Sequence, residues 1–316
     1  MKNNHRNDEV QIRPFVEDLV INWHLIEACN YSCKYCYAAW NKPDSSKELH
    51  RDQDGTARLL NSLYDFFRPS NSANPLAHIM DWKNVRLSIA GGEPTLLKER
   101  LDFVISKAKQ LGFKVSLITN GSLLDAQRIT AIAPHLSCLG VSLDSSNITT
   151  NSLIGRVSQK GNVKPVRDVV ETIRLARKAN PAISIKINTV VNAINMHEDV
   201  SVLISLINPD RWKVMRVLPV ISDALSITAE NYREFVTRHA ALSSVMSVED
   251  NQDMVDSYIM IDPLGRFFQN SLGGSAYLYS SPIQEVGIAA AFAQTGFSPQ
   301  KFAKRYQNGL RGEFLP

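Results

Sequence analysis

Long apolar runs, a disulfide complement and a strong charge imbalance are all missing from this chain. The longest near-apolar stretch, Val286 to Ala293, falls far short of the roughly 18–20 residues that a membrane-spanning helix needs. Residues 1–18 form a polar leader with charges throughout and no secretory apolar core. Only four cysteines occur in 316 residues, which excludes a disulfide-built secreted module. Lysine and arginine total 35 against 31 acids, a net charge of +4, and no basic stripe of the kind that grips nucleic acid is visible. No internal repeat or low-complexity segment is found. At 44% apolar residues the composition is that of a globular protein. The expectation is a cytoplasmic protein with neither membrane nor nucleic acid as partner.

What is present is alternation. Strand-like runs at 19–26, 85–90, 113–119, 136–143, 182–191 and 211–218 are separated by stretches of helical spacing at 50–67, 97–111, 124–133, 164–179, 198–207 and 228–245. Such βα units build a parallel sheet. Beyond residue 246 the pattern changes to a hairpin around Asp262-Pro263-Leu264-Gly265, followed by a predicted helix over 283–294; the last dozen residues show no period. The reading is therefore a core over 19–245 and a C-terminal extension over 246–316.

Parallel strands covered on both sides are normally apolar on both faces, whereas these carry one polar stripe. With period two, Asn22 and His24 oppose Ile21 and Leu25; Arg86 and Ser88 oppose Leu87 and Ile89; Ser142 and Asp144 oppose Val141 and Leu143. Lys186 and Asn188 oppose Ile185 and Ile187, and Arg211 and Lys213 oppose Trp212 and Val214. Four inward cations, Arg86, Lys186, Arg211 and Lys213, are unfavourable unless something anionic sits among them; a di- or triphosphate suits. The alternative is that they reach solvent at strand ends or pair with acids.

Directly after the first strand comes Cys29-Asn30-Tyr31-Ser32-Cys33-Lys34-Tyr35-Cys36. Three thiolates at CxxxCxxC spacing suit a [4Fe–4S] cluster with one iron left open to another ligand. A structural zinc site is the alternative and would have to recruit His24 or His50.

With Tyr35 as the aromatic of CxxxCxΦC and Gly91-Gly92-Glu93-Pro94 after the second strand, the chain resembles the radical S-adenosylmethionine (SAM) enzymes. Further segments narrow the resemblance to the viperin family of prokaryotic type: Asn22-Trp23-His24, Ser142-Leu143-Asp144-Ser145, Ile154-Gly155-Arg156, Lys186-Ile187-Asn188, Arg211-Trp212-Lys213-Val214, Asn251-Gln252 and Asp256-Ser257-Tyr258. The resemblance implies an α/β fold, a partial (β/α)6 radical-SAM barrel with a C-terminal extension covering the nucleotide site. It implies an antiviral enzyme whose 5′-deoxyadenosyl radical takes the C4′ hydrogen of a nucleoside triphosphate (CTP, UTP or GTP). Loss of the 3′-hydroxyl as water and one further electron then give a chain-terminating 3′-deoxy-3′,4′-didehydro nucleotide.

Carried over by position, Cys29, Cys33 and Cys36 would ligate the cluster. Tyr35, Gly91, Gly92, Glu93, Ser142, Arg156 and Asn188 would meet SAM, with a phosphate as the alternative partner of Arg156. Asn22, Arg86, Lys186, Arg211 and Lys213 would bind the nucleotide, and Tyr258 would stand near the ribose in a late hydrogen or proton transfer. A flavodoxin- or ferredoxin-type reductant is the implied partner. Arg86 stands where the animal enzymes carry lysine. The animal enzymes' membrane helix, terminal tryptophan and lysine-rich run after Asn270 are not found, the chain ending Glu313-Phe314-Leu315-Pro316. Two competing readings are another single-cluster radical SAM enzyme and a non-catalytic nucleotide sensor. Enzymes with extra clusters need more thiols than Cys138, the one cysteine left, which reads as a small buried hydrophobe.

Overall fold

The computed structural model describes residues 13–38, 45–219, 223–270 and 277–307. Residues 1–12 of the leader, Ser271 to Ala276 and Glu313 to Pro316 lie outside the described residues. One ten-stranded sheet organises the chain: β1 (Phe15–His24), β2 (Asp81–Ala90), β3 (Lys114–Thr119), β4 (Cys138–Ser142), β5 (Ser184–Val191), β6 (Arg211–Arg216), β7 (Met246–Glu249), β8 (Ile259–Ile261), β9 (Arg266–Gln269) and β10 (Leu278–Pro282). The order across the sheet is β10-β9-β8-β1-β2-β3-β4-β5-β6-β7. Strands β8 and β1 through β7 run parallel; β9 and β10 add antiparallel hairpins. The six expected strands are thus neighbours in sequence order.

The helices are α1 (Gln53–Phe67), α2 (Glu99–Leu111), α3 (Ala126–Ile132), α4 (Ile148–Ile154), α5 (Val166–Ala179), α6 (Ser201–Ile207), α7 (Ala229–Arg238), α8 (Ile283–Val286), α9 (Ile288–Phe292) and α10 (Pro299–Gln307). Three expectations need correction. The helix expected over 228–245 ends at Arg238, because the chain turns there to enter β7. The helix expected over 283–294 is two short ones, broken at Gly287, whose φ of 80° is not helical. The terminal segment without a clear period starts inside the last turn of α10, a helix that was not expected and that packs against β1. Helix α4, also unforeseen, begins where the Asn147 side chain accepts from the amides of Thr149 and Thr150.

The apolar stripe lies where period two puts it. Ile21, Leu25, Leu87, Ile89, Val141, Leu143, Ile185, Ile187, Trp212 and Val214 are buried in the core beneath the helices. The opposite face is lined by small side chains on its central strands: Ser88 and Ala90 on β2, Ser116 on β3, Cys138 and Ser142 on β4, Ser184 on β5. Closed barrels normally fill this space with branched residues. Here the small residues leave room, and Cys138 belongs to that set rather than to the apolar core.

Only nine residues, 250–258, join β7 to β8, although these strands flank opposite sides of the parallel set. At about 3.3–3.6 Å per extended residue such a strap spans at most ~30 Å, so the sheet has to curl around its polar face. Side chains complete the closure: the Tyr258 hydroxyl next to β8 donates to the Glu249 carboxylate of β7.

Candidate active site

The curled face encloses a cavity of about 330 Å³, within the range of small-molecule sites. Its wall contains Asn22, Cys29, Cys33, Tyr35, Cys36, Arg86, Gly91, Gly92, Ser142, Arg156, Lys186, Asn188, Arg211, Lys213 and Tyr258. Of the predicted site residues only Glu93 is absent from that wall. The arrangement is polar in a directed way, because the strands' carboxyl ends carry the cysteine loop while most of the cations sit nearer the amino ends.

The cysteine loop leaves β1 and is held by two glycines after β2. Gly91 has φ of 143°, and a Cβ there would lie 2.5 Å from the Ile26 carbonyl oxygen. A Cβ on Gly92 would lie 2.2 Å from the Ala28 oxygen. The backbone can therefore close up only with glycine, and the amides of Gly92 and Glu93 donate to the carbonyls of Ile26 and Ala28 at 2.6 and 3.0 Å. Glu93 is fully buried behind the wall. Its carboxylate accepts from the Thr95 amide and hydroxyl, the Thr119 hydroxyl (2.7 Å) and the Asn120 amide (2.8 Å). Asn120 in turn donates to Asn30 at 2.9 Å and reaches Cys29 Sγ at 3.8 Å.

From the other side, the Lys34 amide donates to Ile154 O at 2.9 Å. Gly155, with φ of 90°, lets α4 end flush against the loop, since a Cβ would lie 2.4 Å from Ser32 O. The three thiols share one pocket. Burial pushes the Cys33 thiol up to about 12 and raises Cys29 and Cys36 as well. Such thiols ionise only beside a strong cation, as ligation to iron supplies. The Tyr31 amide 3.3 Å from Cys29 Sγ adds the kind of N–H donor that suits a cluster thiolate. The donor set thus fits a [4Fe–4S] cluster. His50 is engaged elsewhere, buried with Nε2 2.7 Å from Glu48.

Arg156 lies at this cysteine end. Its guanidinium donates to the Tyr35 hydroxyl at 3.1 Å and to Ser142 O at 2.6 Å, pairs with Asp144 at 3.4 Å and lies over the Tyr31 ring. Ser142 and Asn188 stand on adjacent registered positions of β4 and β5.

The other end is cationic. Arg86 pairs with Asp18, which also binds Lys114 at 2.8 Å. Lys213 pairs with Glu249 at 2.7 Å and donates to Tyr258 at 2.6 Å. Arg305, from α10, reaches Glu249 at 3.2 Å and stacks on the Tyr258 ring at 3.4 Å. Burial would raise Glu249, but Arg305 and Lys213 outweigh it and hold the carboxylate well below its usual range. The sequence alternative that these cations pair with acids is thus met for Arg86 and Lys213. It is not met for the other two. Arg211 donates to Ser247 Oγ (2.7 Å) and Arg305 O (3.1 Å), with no carboxylate partner among the described residues. Lys186 has no hydrogen-bond or ion-pair partner among the described residues. Burial, and then Arg211, lowers its ammonium to about 8.

Asp18, Glu249, Asp144 and Arg305 were missed as site residues. Glu249 and Ser247 share a face of β7, so period two would have found them had so short a strand been read. Arg305 gave no comparable signal, because nothing local says that α10 reaches the cavity. Among the described residues no helix is long and apolar enough to cross a membrane.

Residues 23–206 match the family model of the radical SAM superfamily. The chain is 42% identical over 93% of its length, and 94% of the relative's, to an S-adenosylmethionine-dependent nucleotide dehydratase of Pseudoalteromonas ulvae. A protein of the same name from Psychrobacter lutiphocae is 40% identical, over 92% of this chain and 95% of its own. Among solved structures, native anSMEcpe with bound AdoMet aligns with a TM-score of 0.63 over 93% of this chain and 83% of that one. At 13% identity that likeness speaks for the fold.

Proposed function

We propose, for a chain that belongs to the radical SAM superfamily and within it to the S-adenosylmethionine-dependent nucleotide dehydratases, the viperins, that its substrate is a nucleoside triphosphate dehydrated at the ribose. The observation that carries this is the pair Lys186 and Arg211, which face the cavity with the three thiols and form no ion pair with a carboxylate among the described residues, Glu249 acting on Lys186 only at longer range. A polyphosphate supplies that charge, and the low-dielectric wall strengthens the attraction.

Cys29, Cys33 and Cys36 would hold a [4Fe–4S] cluster which, when bound and reduced, supplies the electron that cleaves SAM to methionine and a 5′-deoxyadenosyl radical. Gly91 and Gly92 offer backbone groups to the methionine end, and Glu93, through Thr119 and Asn120, positions that segment. Ser142, Asn188 and Arg156 complete the SAM wall. Arg86, Lys186, Arg211 and Lys213 orient the triphosphate, joined by Arg305, so that the sugar lies between phosphates and cluster. Asn22, which donates to Ile259 O at 3.4 Å, lines the nucleotide part. Tyr258, held between Lys213 and Glu249, is placed to pass a proton or hydrogen near the ribose. Loss of the C4′ hydrogen and of the 3′-hydroxyl as water, with one further electron from a flavodoxin- or ferredoxin-type carrier, balances to a 3′-deoxy-3′,4′-didehydro nucleotide. The extension over 246–316 contributes Glu249, Tyr258 and Arg305 to the site. Unpaired clustered thiols accord with a reducing cytoplasm, and the product accords with an antiviral role as a chain terminator.

The test is anaerobic incubation of the reconstituted, reduced protein with SAM and each nucleoside triphosphate, read by mass spectrometry. The expected result is a nucleotide lighter by one water together with 5′-deoxyadenosine. Substrate-stimulated 5′-deoxyadenosine with every nucleotide unchanged would overturn the reading.

A further inference from the structure

The Tyr35 ring occupies the aromatic position of the cysteine motif, but its hydroxyl does something the motif does not require. It donates to Asp144 Oδ2, the same oxygen that Arg156 Nη1 approaches only to 3.4 Å. Arg156 Nη1 in turn donates to the Tyr35 oxygen at 3.1 Å. The hydroxyl is therefore wedged between carboxylate and guanidinium. Both charged side chains are buried, at 1% and 7% exposure, where an opposite pair left alone closes to direct contact because attraction is little screened. Asp144 is itself immobilised, accepting from the Val190 amide at 2.9 Å through Oδ1, while its backbone carbonyl accepts from Asn195 at 3.0 Å. Arg156 is anchored on its far side by Ser142 O, and the bonds to Tyr35 and Ser142 leave other N–H donors of its five on the cavity wall.

We propose that Tyr35 and Asp144 are positioning residues: the Tyr35 hydroxyl acts as a spacer that keeps Arg156 from collapsing onto Asp144, presenting the guanidinium to the carboxylate of SAM at the cysteine end of the cavity. This rests on the functional reading above and assigns Arg156 to the cofactor rather than to the phosphates. Removing the hydroxyl leaves Oδ2 without its nearest donor, and the guanidinium moves in to replace it. The ring stays, so the loop keeps its packing.

The experiment uses iron-loaded, reduced protein and SAM alone, with affinity read from the change that SAM makes in the electron paramagnetic resonance spectrum of the cluster. Tyr35→Phe is expected to retain full iron and visible absorbance while binding SAM about tenfold more weakly, the scale of one hydrogen bond to a charged group. Because the hydroxyl acts through Arg156, Tyr35→Phe should add nothing in an Arg156→Gln background. An unchanged affinity, an equal loss in both backgrounds, or loss of iron in Tyr35→Phe would each overturn the proposal. Wild-type protein that binds no SAM would overturn the functional reading instead, so the two failures are distinguishable.

Discussion

The two ends of the cavity are built on opposite plans. At the cysteine end the key atoms come from one eight-residue loop, and the neighbouring elements serve to clamp it: glycines on one flank, α4 on the other, Glu93 behind. At the cationic end no segment dominates. Arg86, Lys186, Arg211 and Lys213 come from three strands, and Arg305 from a helix near the end of the chain. A cluster demands ligands at fixed mutual distances, which a short loop supplies and close backbone contact preserves. A flexible polyphosphate needs positive potential over a volume, which strand register supplies without any local motif. The charges differ accordingly, half-buried thiols whose ionisation burial opposes at one end and surplus cations at the other.

The sharpest way to break this division is Cys33→Ala. It should abolish both visible cluster absorbance and product formation while leaving nucleotide binding intact by calorimetry; an active variant would end the assignment of the loop. Close behind comes Gly92→Ala, whose methyl meets the Ala28 oxygen. A destabilisation of about 1–3 kcal/mol, measured by denaturant unfolding, and poor iron retention are expected, and an unaltered protein would remove the clamp. On the opposite wall, Lys186→Ala or Arg211→Ala should raise the nucleotide KM about ten- to a hundredfold without changing iron content. KM values equal to wild type would take both residues out of the site.

These variants also mark how far the chain could be read before folding. The cysteine end was legible because its chemistry is contiguous: three thiols in eight residues, then two glycines at a strand end. The cationic strands were legible through period two, which places Lys186 and Arg211 on the inward face whatever the helices do. What escaped was whatever depends on distant segments meeting. Glu249 lies in a strand of four residues, Arg305 in a helix whose destination no local pattern gives, and the Tyr35–Asp144 bond joins residues 109 apart. The pairing of Lys213 with Glu249 belongs to the same class.

The smallest expected effect sharpens the comparison by pH. Lys186 begins to lose its proton as pH rises through about 8, because burial and Arg211 disfavour the charged form. Nucleotide affinity should therefore be full below that pH and weaken above it, with bound triphosphate shifting the loss upward. Lys186→Arg, which stays charged, should flatten this limb of the KM profile; a profile identical to wild type would assign the dependence to another group. The affinity for SAM, governed from the other end, should not follow that limb.

The nine-residue strap between β7 and β8 gives the enclosure an adjustable girth. Because the two flanks of the curled sheet are tethered by so short a length of chain, the breadth of the chamber is measured out in residues rather than in contacts. Lengthening 250–258 by even a few positions would slacken the ring, move Tyr258 off Glu249 and widen the mouth. Insertions there are expected to change the breadth of the cavity while leaving Cys29, Cys33, Cys36, Lys186 and Arg211 on their own strands and loop.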